Sequence, residues 1–129
     1  MISVPVSVGE LIDKLSILHV KKTKISNEEK LSFINREYEL LYDMSSFYLN
    51  NEEIIKLYNK LVEVNSNLWE VEDELRILES KSIFDESFVQ LARKVYFTND
   101  ERFLLKNKIN DLTNSEVREQ KEYVEYNKL

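Results

Sequence analysis

Between Ile54 and Leu78 the chain sets Ile54, Leu57, Leu61, Val64, Leu68, Val71, Leu75 and Leu78 alternately three and four residues apart, without a miss. This alternation makes one face of an α-helix apolar and fits no strand, whose successive side chains point to opposite faces. At 1.5 Å per residue the seam runs roughly 37 Å. A stripe of that length left in water would expose a large apolar surface, so other helices must cover it.

The rest of the chain offers such helices and little else. Gly9 and Pro5 are its single glycine and single proline, whereas all-β chains need many residues that punctuate turns. Capping boxes, in which a hydroxyl residue precedes a glutamate by three positions, mark helix starts at Ser7 with Glu10, Ser26 with Glu29, Thr98 with Glu101, and Thr113 with Glu116. Asn50 or Asn51, and Asp85, are further good N-caps. The expected helices are 8–25, 27–48, 52–80, 86–97 and 99–112, followed by a charged helical tail from 114. Leu31, Ile34, Tyr38 and Leu41 form the partner stripe on the second helix, and the short turn before the third predicts an antiparallel hairpin between the two. With 129 residues of which 43% are hydrophobic, one core is attainable. The fold class is therefore all-α: an antiparallel helical bundle built on a long helical hairpin, about five helices in a single domain over residues 1–129.

Charge and composition narrow the function. A formal net charge of −6 opposes general binding to nucleic-acid phosphate, and the patch of Lys14, Lys21, Lys22 and Lys24 reads as the complement of a helix dipole. No nucleic-acid partner is expected. Charged residues interrupt every apolar run before the roughly 20 residues a membrane span needs, and no export signal is visible at the start, so the expected location is the cytoplasm. Absence of cysteine removes thiolate metal sites and a cysteine nucleophile. With His19 as the single histidine, zinc would have to be held by carboxylates and water. Glu70 and Asp73 stand one turn apart but lack the second acidic cluster of a helical magnesium site. Neither a metal nor a cofactor is expected.

Three constellations remain. Trp69, Glu72 and Arg76 share a stripe beside the seam, as an aromatic wall with a fixed charge or as a core tryptophan with a surface ion pair. Asn99, Arg102, Lys106 and Asn110 line one side of the fifth helix. They would flank an anion site at the junction where Val95-Tyr96-Phe97 ends one helix and Thr98 opens the next, with Arg93 adding a planar fork. The alternative pairs Arg102 and Lys106 with acidic residues of the third helix. The ligand-binding candidates are thus Lys14, Trp69, Glu72, Arg93, Tyr96, Asn99, Arg102 and Lys106. Aromatic content of 11%, with Tyr42, Phe47, Tyr48 and Tyr58 near one end of the hairpin, exceeds what a thin bundle buries and predicts a homodimer.

Three long strings carry a family resemblance: Val4 to Leu18, Asn67 to Asp73, and Leu91 to Arg102. Ile109 to Glu116 and Glu119 to Tyr123 extend it. In these strings the chain resembles a family of small bacterial and marine-phage proteins defined only as a domain of unknown function. One departure is Asn65-Ser66-Asn67-Leu68, where the family commonly has Asn-Pro before the tryptophan segment. The resemblance implies a genomic setting among glycosyltransferase and surface-polysaccharide genes, or on phages, and no established reaction. Two functional readings follow: a non-catalytic accessory or binding protein in surface-glycan metabolism or phage–host interaction, and a small helical enzyme acting on an anionic metabolite. Convergence of Lys14, Arg93, Arg102 and Lys106 in one cleft would favour the enzyme. Their outward dispersal would favour the protein-binding role.

Overall fold

The structure, a computed structural model, describes residues 1–126. It contains four helices: α1 Val8–Lys24, α2 Glu28–Ser45, α3 Glu52–Ser80 and α4 Glu86–Thr113, with a single 3₁₀ turn at Tyr48–Asn50 before α3. No strand occurs among the described residues. Three of the expected N-caps act as read. Ser7 Oγ accepts from the Glu10 N–H, Asn51 from Glu53 and Ile54, and Asp85 from Phe88. At α2 the cap is Asn27, which accepts from Lys30, one position beyond the expected Ser26.

Four helices replace the expected five because the Thr98 capping box lies inside α4. Capping requires the backbone to leave helical geometry at the cap residue, and no glycine or proline stands between Glu86 and Thr113 to make it leave. The seam Phe88, Leu91, Val95, Thr98, Arg102, Leu105, Ile109 and Leu112 keeps its three–four alternation straight through the supposed junction. Nor does Thr113 open a helix. Asn114 takes the left-handed conformation at φ 50°, the Ser115 N–H donates back to the Asn110 carbonyl at 2.9 Å, and 115–126 runs without helix. The rest of the expected helical tail lies outside the described residues.

The hairpin also differs from expectation. Helix α3 pairs with α4, its antiparallel neighbour, and α1 packs against all three other helices. Helix α2 packs along α1, and towards α3 its Tyr38 side chain hydrogen-bonds Tyr58. Its stripe of Leu31, Ile34, Tyr38 and Leu41 is accordingly only half-buried. The core consists of Ile12 from α1, Ile54, Leu61 and Val64 from α3, and Leu105 and Ile109 from α4.

Length explains why only part of the α3 seam is buried. Helix α1 has 17 residues against 29 in α3, and its last turn stops at Glu70, which pairs with Lys24. Beyond that point α3 and α4 continue as a two-helix arm of about 15 Å. There Val71, Leu75, Leu78, Phe88 and Leu91 are half-buried. Contact between α1 and α4 is tight at Gly9, where an added Cβ would stand 2.4 Å from the Lys106 carbonyl oxygen and 2.9 Å from Asn110 Oδ1. Backbone cannot yield there as a flexible side-chain tip does. Gly9→Ala is expected to lower stability by about 1–3 kcal/mol or more, and Leu61→Ala, with no exposed surface, by about 2–5 kcal/mol. Urea denaturation of both variants measures this; an unchanged midpoint for Gly9→Ala would refute the close approach.

Candidate functional site

A line of polar side chains runs through the contact of α1 with α4. Asp13, without exposed surface, accepts from Arg102 Nη2 at 2.7 Å and Nε at 3.4 Å, and from Asn65 Nδ2 at 3.0 Å. Asn65 also donates to Ser16 Oγ at 2.8 Å, and the Ser16 hydroxyl donates to the Asp13 carbonyl at 2.6 Å. Arg102 Nη1 donates to Asn99 Oδ1 at 2.9 Å. One turn on, Lys106 Nζ lies 2.6 Å from Glu10 Oε2 and 2.7 Å from Glu119 Oε2. Next, Asn110 Oδ1 accepts from the Gly9 N–H at 2.7 Å.

The stripe Asn99, Arg102, Lys106 and Asn110 read from the sequence is therefore real, and it faces α1. Arg102 and Lys106 do pair with acids, but with Asp13 and Glu10 of α1 and Glu119 of the following segment, instead of acids on α3. Burial opposes the Lys106 charge, yet hydrogen bonds to Glu10 and Glu119 outweigh it and hold its pKa above the ordinary value. The hydrogen bond from Lys106 holds Glu119 below the usual carboxylate range. Every buried side-chain nitrogen and oxygen among the described residues has a partner.

The expected anion site at a helix junction is not formed, since α4 is continuous at Thr98 and exposes no N–H groups there. A cleft nonetheless lies beside that position, made in another way. Segment 115–126 doubles back along α4, tied by Arg118 to Asp111 at 2.5 Å, by Glu119 to Lys106, and by the Tyr126 hydroxyl to Asp100. Between segment and helix is a cavity of about 550 Å³ lined by Arg93, Tyr96, Phe97, Asn99, Asp100, Lys121, Tyr123 and Tyr126. Its rings meet edge to face, Tyr96 with Phe97 at 4.9 Å and with Tyr126 at 5.4 Å between centroids. The Arg93 guanidinium stands 5.4 Å from the Phe97 ring and has no acidic partner among the described residues. The Asp100 carboxylate, hydrogen-bonded to the Tyr126 hydroxyl, pushes that phenol up to about 12.

The eight candidates thus divide among places. Arg93, Tyr96 and Asn99 line this cleft; Asn99, Arg102 and Lys106 line the adjoining hollow over the polar line. Trp69 and Glu72 join Arg102 in a separate cavity of about 260 Å³ between α1 and α3, and no ion pair joins Glu72 to Arg76 among the described residues. Lys14 is exposed and lines none of these. The four cations neither converge nor scatter outward: Arg102 and Lys106 turn inward, and Arg93 alone faces the tail cleft. His19 is exposed, with its ring 6.5 Å from Tyr58, and no cluster of metal-ligating side chains occurs among the described residues. No helix among them is long and apolar enough to cross a membrane.

A family profile described as "Family of unknown function (DUF6165)" matches residues 2–127. The chain belongs to this family. No curated protein and no solved structure matches it. The match spans both the buried polar line and the tail cleft.

Sequence reasoning missed Asp13, Ser16, Asn65, Glu10 and Glu119. A signal existed for Asp13: Gly9, Asp13, Ser16 and Val20 repeat at four, three and four, a stripe whose polar members look solvated until a partner arginine is known. Arg102→Ala would leave the Asp13 carboxylate buried without its cation, and is expected to destabilise by about 3–5 kcal/mol. Loss of under about 1 kcal/mol in thermal denaturation would contradict the buried pair. A second expectation concerns pH. Because Glu119 titrates below its ordinary 4.5, its pair with Lys106 stabilises the docked segment fully above 4.5, and this is lost as pH falls through the depressed value. Amide shifts of residues 117–121 followed by NMR should titrate with a midpoint under 4.5; a midpoint at or above it would refute the ion pair.

Proposed function

We propose that the chain is a non-catalytic binding protein that holds an anionic, sugar-like molecule in the cleft between α4 and segment 115–126. The observation that carries this reading is Arg93: a half-buried guanidinium without an acidic partner, at the wall of a cavity of about 550 Å³. That volume falls within the roughly 300–1,000 Å³ of small-molecule sites. Tyr96, Tyr123 and Tyr126 offer apolar ring faces to the C–H face of a pyranose, Asn99 and Asp100 offer partners to hydroxyls, and Arg93 with Lys121 offers charge to a phosphate or carboxylate. A setting among surface-polysaccharide genes, which the family resemblance implies, agrees with such a ligand. The enzymatic reading has less support, because Arg102 and Lys106 are occupied by internal carboxylates and Lys14 lies apart.

Calorimetric titration with hexose phosphates and hexuronic acids tests the proposal. Binding should be abolished by Arg93→Ala while the unfolding free energy changes by less than about 0.5 kcal/mol, as for a residue outside the core. No binding by the parent protein to either class, or undiminished binding by Arg93→Ala, would end it.

A further inference from the structure

Helix α2 carries a second apolar stripe that none of the described residues covers. Phe33, Leu40 and Met44 lie along it, and the helical backbone at Ser46 and Phe47 prolongs it by one more ring. These four side chains are 44 to 77% exposed. At 100° per residue their mean direction is about 130° from that of Leu31, Ile34, Tyr38, Leu41 and Ser45, the side turned to α1. Arg36 and Asp43, seven residues apart, lie together on the edge of the stripe farther from α1. Both are exposed, and neither has an ion-pair partner among the described residues.

We infer that two copies of the chain pair through this stripe, with their α2 helices antiparallel and Phe33 opposite the partner's Met44. Antiparallel helices bring like edges together. In this register Arg36 meets the partner's Asp43, and by symmetry Asp43 meets the partner's Arg36, so two ion pairs close one edge. A parallel pair would instead press Arg36 and Asp43 against the edge holding Ile34 and Leu41, which α1 already occupies. At about 150–250 Å² for a large aromatic side chain, the four apolar residues offer on the order of 500 Å² per copy. The stems of Lys30, Arg36 and Glu37 extend this towards the ~800 Å² that each partner gives to a standard interface.

Charge reversal tests both the partner and the register. Sedimentation of the parent protein should show a dimer dissociating reversibly between about 1 and 100 µM. Arg36→Asp alone sets two acidic pairs face to face, and Asp43→Arg alone sets two basic pairs; each should weaken self-association about tenfold or more. Mixed together, the two variants have complementary edges, and a heterodimer of parental affinity should form. Circular dichroism of each variant should match the parent, since both residues are exposed on the surface. A parent that stays monomeric at about 100 µM, or variants that associate no better mixed than apart, would overturn the pairing.

Discussion

A carboxylate with no exposed surface cannot remain charged unless the fold supplies its counter-charge and its hydrogen bonds, because desolvating it costs several kcal/mol. Asp13 imposes that condition on this protein. Its two oxygens are met by Arg102 from α4 and Asn65 from α3, and the Asn65 amide is held in turn by the Ser16 hydroxyl of α1, to which it also donates. The apolar core has no comparable power to fix register, since leucines and isoleucines one turn apart are nearly interchangeable partners. Sliding α4 by a turn past α1 would strand the carboxylate, whereas it would merely exchange one aliphatic contact for another. The directional partners therefore select one arrangement of three helices from the several that hydrophobic burial alone would permit.

The same arrangement closes the start of α1. A helix N-terminus ordinarily offers free N–H groups to an anion, but here the first three are occupied: Val8 donates to Ser115 Oγ at 3.2 Å, Gly9 to Asn110 Oδ1 at 2.7 Å, and Glu10 to Ser7 Oγ at 2.9 Å. Such contacts depend on Gly9 lacking a Cβ, for any other side chain would push α4 away. Helix packing and capping are thus one event at this end of the molecule. The consequence for function is subtractive. Arg102, Lys106 and the α1 terminus all have internal partners, whereas Arg93 of α4 lines the tail cleft without an acidic partner among the described residues.

How much of this could be read from the sequence depends on whether a residue's role is set locally or by a distant partner. The α3 seam, and the caps at Ser7, Asn51 and Asp85, are local properties, and the structure has them. Thr98 and Thr113 carry equally good capping signals and cap nothing. At Thr98 the seam of α4 continues on both sides, and the coupling of α4 to α3 and α1 outweighs a capping box worth about 1 kcal/mol. Pairing of α3 with α4 instead of α2 was not legible, because both neighbours present apolar stripes. The deciding contacts are polar ones between α1 and α4, about ninety residues apart in the chain. For the site, the sequence points to Arg93, Tyr96 and Asn99 beside a helix junction that the continuous α4 does not form. They share a cleft because a segment expected to be helical runs back along α4 without helix, and its turn at Asn114 is a left-handed conformation that asparagine tolerates.

Lys106 joins these two parts of the molecule. Its ammonium is shared between Glu10, on the helix that carries the buried carboxylate, and Glu119, on the segment that walls the cleft. Segment 115–126 contributes no residue to the hydrophobic core, so its position on α4 rests on a few polar ties and the aromatic contacts of Tyr126. Few buried apolar contacts at the segment and many at the helices set a gradient of local stability between the two. One lysine thereby ties the segment that walls the cleft to the helix that carries the buried Asp13, so under the proposed function a ligand drawing on Arg93 would meet a wall placed by that tie.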